Sequence, residues 1–161
     1  MNAVALKTEQ AVKLYLDGLT WPATAPTVLV SYGRGALSAE SIAEQDDMPS
    51  FPRIVVRATS SEPVAPEVDV HQVPVSVDLY VSADESEESE TFDLLAVMET
   101  GLQELTYNEQ WYLLNIAATA TETGYDCQFC TPSSGSDVSV QNRARVITRA
   151  MSIWGRTTPK T

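Results

Sequence analysis

The sequence is short of the residues on which much soluble chemistry is built. It has one histidine, His71, and two cysteines, Cys127 and Cys130, in 161 residues. A single imidazole, with no carboxylate, cysteine or serine partner nearby in sequence, removes most acid–base schemes based on histidine. His71 reads as a surface or packing residue. The C-x-x-C pair is followed by Thr131-Pro132-Ser133-Ser134-Gly135 rather than by the helix of a thioredoxin-type motif. A structural zinc site would need two more ligands. Two reduced thiols near a loop are expected. No G-x-S-x-G, G-x-x-x-x-G-K-[ST], H-E-x-x-H or G-x-G-x-x-G occurs, and Gly33-Arg34-Gly35 is an isolated G-x-G.

Basic residues are also scarce. Ten lysines and arginines face 22 acids, for a net charge of −12. Such a surface repels a phosphate backbone and keeps the chain soluble. No run of about 18 apolar residues is present, so no membrane-spanning helix is expected. The N-terminus MNAVALKTEQ lacks the basic-then-apolar pattern of a signal peptide. These absences predict a cytoplasmic protein that is not an enzyme, takes no cofactor or metal, and has no membrane partner.

What is present is organised around Val73 to Leu105. Val73, Val75, Val77, Leu79 and Val81 alternate with polar residues or proline, which predicts a strand with one buried face. Phe92, Leu95, Met98, Leu102 and Leu105 then recur at helical spacing. Between them Asp84 to Glu90 carries five carboxylates. A calcium loop would need a glycine there, so the acids read as a helix N-terminus, where they complement the dipole.

Elsewhere, Thr8-Glu9 is expected to open a first helix that ends at Gly18. Thr27 to Tyr32 and Arg53 to Thr59 read as strands. Residues 36–51 read as a long exposed loop. Trp111 to Ala120 reads as a strand, Glu122 to Asp137 as a loop or hairpin, and Val138 to Trp154 as a long last strand. Residues 155–161 are expected to form a loose tail. The predicted fold is α+β over residues 1–161 as a single domain. It has one mixed, mostly antiparallel β-sheet with two α-helices packed on one face.

This pattern resembles the tail terminator, or tail-completion, family of long-tailed bacteriophages. The matching stretches are Leu6 to Leu19, Phe51-Pro52-Arg53-Ile54-Val55-Val56, Val73 to Leu105 and Ala144 to Trp154. They cover most of the chain as pattern rather than as signature. The resemblance implies a structural virion protein of the neck, assembled in the host cytoplasm. Its members form a ring, usually a homo-hexamer, that caps the tail tube and joins it to the head–tail connector. DNA passes through the lumen only as cargo.

Each subunit of such a ring needs two different complementary patches. Arg143, Arg145 and Arg149 share one side of the last strand. They are the candidate partners of Asp84, Glu85, Glu87 and Glu88 on a neighbouring subunit. Two other readings carry distinct expectations. Another neck component, such as a head–tail adaptor or stopper, would be richer in helix or built as a small barrel. A small cytosolic α+β enzyme or ligand-binding domain would be a monomer or dimer with a concave pocket.

Overall fold

The structure is a computed structural model that describes residues 3–22, 24–31, 52–58, 62–64, 69–83, 88–141 and 144–161. The expected loop over 36–51 lies outside the described residues. The α+β expectation holds: two α-helices lie on one face of an open six-stranded mixed sheet that is mostly antiparallel.

Helix α1 spans Ala3–Asp17. Val4, Ala5, Thr8, Glu9, Ala11, Val12 and Leu16 are buried along one face, at the three- and four-residue spacing of a helix packed on a sheet. The helix starts earlier than Thr8 because Ala3, Ala5 and Leu6 are good helix formers and Val4 and Ala5 reach the core. Thr8 is therefore no cap. Its hydroxyl lies 2.7 Å from the Val4 carbonyl and 3.0 Å from the Tyr125 hydroxyl. At the other end, Gly18 N–H donates to Leu14 O and Tyr15 O, and the Trp21 indole donates to Leu16 O. These bonds satisfy carbonyls that the end of a helix leaves open.

The strands are β1 (Thr27–Val30), β2 (Arg53–Ala58), β3 (Glu62–Pro63), β4 (His71–Ser82), β5 (Gly124–Gln141) and β6 (Ala144–Thr158). Their order across the sheet is β1-β2-β4-β6-β5, with β3 against the start of β4. β1 and β2 are parallel, and the other pairs are antiparallel. The central pair β4–β6 runs from His71↔Gly155 to Ser82↔Ala144. Between β4 and β5 the chain forms helix α2, Glu88–Leu105, and crosses over β6.

The alternating valines behave as the period of two demands. Val73, Val75, Val77, Leu79 and Val81 all enter one core beneath both helices. Helix α2 keeps most of the expected face, with Met98 and Leu105 buried and Leu95 and Leu102 packed against the core, but its buried stripe is offset enough to leave Phe92 out. It buries Thr91, Leu94, Met98, Gly101 and Leu105, which leaves Phe92 62% exposed. The reason is the approach of α1. Tyr15 donates to the Gly101 carbonyl at 2.7 Å, and a Cβ on Gly101 would lie 2.7 Å from Leu19 Cδ1. A side chain at Gly101 would have to push the Leu19 side chain aside, so the glycine keeps this contact close.

Four further expectations are corrected. Trp111–Leu114 is a single 3-10 turn, not the start of a strand; Trp111 and Leu114, three residues apart, turn inward. Gly124–Gln141 is a strand although Pro132 and serines interrupt it. It sits at the sheet edge, where proline and polar residues are tolerated, and its register shifts between Cys127 and Phe129 and again between Ser133 and Asp137. Val138 to Trp154 is accordingly parts of two strands. The end of the chain is tied down as well: β6 continues to Thr158, and Thr161 N–H donates to Thr119 O.

Candidate functional site

Of the seven residues expected at a subunit interface, Asp84, Glu85, Glu87 and Arg143 lie outside the described residues. Arg145, Arg149 and Glu88 are placed. Glu88 begins α2 and is exposed. Arg145 and Arg149 share the parity of Ile147, Met151 and Ile153, which belong to the core. The arginine side of β6 is thus the helix-covered side, not a bare sheet face.

Arg149 is already engaged within its own chain. Its Nη2 and Nε donate to Glu99 Oε1 of α2 at 2.6 and 3.0 Å, and its Nη1 donates to Thr148 O. The pair pins α2 to β6. Arg145 is half-buried between Val81 of β4 and Val140 of β5 in register, and it makes no ion pair among the described residues. Glu88 precedes Glu99 by three helical turns, roughly 16 Å. One chain therefore does not bring Glu88 to Arg149.

The opposite sheet face holds a polar cluster that sequence spacing alone does not reveal. Asp78 on β4 is 1% exposed. It accepts from Arg57 Nε of β2 at 2.6 Å and from Thr148 Oγ1 of β6 at 2.8 Å. The three residues meet only because of the β2–β4–β6 register, which pairs Val55 with Asp78 and Asp78 with Thr148. Tyr80, next on the same face, is also buried. Burial, then the Asp78 carboxylate, pushes its phenol up to about 12, against a smaller lowering by Arg57.

Under the helices the buried polar groups are also matched. Glu9 Oε1 accepts from Ser31 Oγ at 2.7 Å and from the Ala58 N–H at 2.9 Å, which joins α1 to the ends of β1 and β2. Every buried side-chain nitrogen and oxygen among the described residues has a partner. Cys127 and Cys130 are free and buried within β5 rather than beside a loop, with their sulfurs 3.6 Å apart. Their mutual hydrogen bond, then burial, pushes the Cys130 thiol up, which disfavours the thiolate that reacts.

A shallow groove of about 470 Å³ runs along the outer side of α1 beside β1. Leu6, Lys7, Leu14 and Val30 line it. Among the described residues no three His, Cys, Asp or Glu side chains are grouped to hold a metal. No described helix is long and apolar enough to cross a membrane. No protein-family model matches the chain, and no curated protein is similar to it in sequence.

Proposed function

We propose that the protein is a structural component of a phage neck, a tail terminator. In this reading copies of the chain close into a hexameric ring on the end of the tail tube. The ring stops tube growth and offers its other surface to the head–tail connector. It acts by shape, without catalysis or cofactor, in the virion neck. The strongly acidic chain, with a net charge of −12, lets DNA pass the lumen without adhering.

One observation carries the reading. The order helix, two strands, the valine-rich strand, amphipathic helix and long closing hairpin folds into an open sheet with both helices on one face. That is the arrangement the resemblance implies. The buried and half-buried polar side chains serve the fold: Glu9, Arg57, Asp78 and Arg149 each hold one element to another. The neck-adaptor reading expects more helix or a small barrel, and neither matches this sheet.

The test is light scattering on the purified protein, alone and with tail tubes, together with electron microscopy of tube ends. A closed hexamer that caps tubes and halts their growth is expected. Tubes that lengthen unchecked in an excess of folded protein would exclude the role. Arg145→Glu refines the interface: it removes no described ion pair, so weakened ring formation in a folded variant places Arg145 between subunits.

A further inference from the structure

Two exposed features of the helices match one another. The first is the groove on α1. Leu6 and Leu14 are 38% and 49% exposed on either side of Lys7, with Val30 of β1 below. Lys13 is held by Asp17 at 2.6 Å, whereas Lys7 makes no ion pair among the described residues. The second is the start of α2, where exposed Phe92 stands among exposed Glu88, Glu90 and Asp93. None of these three acids makes an ion pair among the described residues. One patch is thus apolar with a cation, and the other an aromatic ring among anions, all without an ion pair among the described residues.

Their placement is what a repeating contact requires. The groove borders β1, one edge of the sheet. Phe92 shares a side of α2 with Leu95 and Glu99, by the three- and seven-residue spacing, and Glu99 reaches Arg149 on β6. Phe92 therefore faces the β5–β6 half of the sheet, away from β1. Two different patches turned toward opposite edges cannot satisfy each other within one chain. They can do so between successive copies, in a heterologous contact.

We infer that Phe92 of one copy seats in the Leu6–Leu14–Val30 groove of a second copy of this chain, with Glu88 and Glu90 beside Lys7. The ring supplies the length scale on which this contact closes, so the inference rests on the tail-terminator reading. An aromatic anchor in an apolar pocket supplies the affinity. The rim charges set register and reject wrong partners. The contact also gives the second subunit patch a role that Arg149, held by Glu99, does not fill.

Four variants of the full chain test it: Phe92→Asp, Leu14→Asp, Lys7→Glu, and Lys7→Glu combined with Glu88→Lys/Glu90→Lys. All change exposed or half-exposed side chains, and circular dichroism checks that each is folded. Mass is read by light scattering across concentration, alone and with tail tubes. Phe92→Asp or Leu14→Asp should raise the concentration needed for assembly at least about tenfold. Lys7→Glu should weaken assembly, and Glu88→Lys/Glu90→Lys should restore it. A wild-type ring that all the variants form equally well overturns the contact but leaves the ring. An open-ended wild-type filament lost in the variants keeps the contact and removes the ring. A wild-type chain that stays monomeric even on tubes removes both.

Discussion

The two faces of the sheet reach low exposure by opposite means. Under the helices, Val73, Val75, Val77, Leu79 and Val81 fill space against α1 and α2, and their stabilisation scales with the apolar area removed from water. On the other face the same strand presents Asp78 and Tyr80, equally buried, next to Arg57 and Thr148. Burial there is tolerable only because each charge and donor is matched. The first face forgives changes that keep volume. The second forgives changes only when partners change together.

That contrast sets the size of each expected effect. Leu79→Ala leaves a cavity at a fully buried site and should cost about 3 kcal/mol, read by urea unfolding. A loss under about 1 kcal/mol would mean that the helices are not packed on this face as described. Asp78→Ala should cost about 2–3 kcal/mol, because it strands the Arg57 guanidinium. The paired change Asp78→Leu with Arg57→Met should recover most of that loss. If the pair costs as much as the sum of its members, the two residues do not act as a unit.

Alkaline pH loads both faces through their buried tyrosines. The folded-state pKa of Tyr80 lies above its unfolded value of about 10, so the fold favours the neutral phenol. Its contribution is fully present below pH of about 10 and is lost as pH rises toward about 12. Tyr125, beneath the helices, shifts in the same direction, chiefly through burial. Unfolding midpoints measured between neutral pH and pH of about 11 should fall, and Tyr80→Phe should fall less steeply than wild type. An unchanged slope would show that Tyr80 ionises freely in the native state. The smallest effect is expected from Arg149→Ala, under about 1 kcal/mol, since the Glu99 pair is partly solvated.

The helix-covered face was legible in the sequence, and the second face was not. Alternation from Val73 to Val81 needs only one strand to be read, because each side chain reports its own side. Asp78 gives no such signal. In isolation it looks like one more solvent-facing polar residue, and only the β2 and β6 registers bring Arg57 and Thr148 to it. Phe92 misleads in the other direction. Hydrophobicity places it on the buried stripe, yet the stripe also holds Thr91 and Gly101, which small size and close helix approach admit and which no hydrophobic count would choose.

The edge strand shows the same limit. Gly124 to Gln141 has the composition of a loop, and it becomes a strand because β6 offers it a ladder and the edge tolerates Pro132. Arg145 and Arg149 share one side of β6, as their spacing predicts, but parity cannot say which side a helix will cover. Arg149 therefore turned out to face Glu99 of its own chain.

Local periodicity alone settled the fold class, the central strand and the existence of both helices. Such patterns span a few residues and need no partner to be read. Strand order, the direction of β1 against β2, the rotation of α2 and every cross-strand charge pair were decided by tertiary structure. Each depends on residues tens of positions apart being brought within bonding distance, and one-dimensional spacing does not encode that distance.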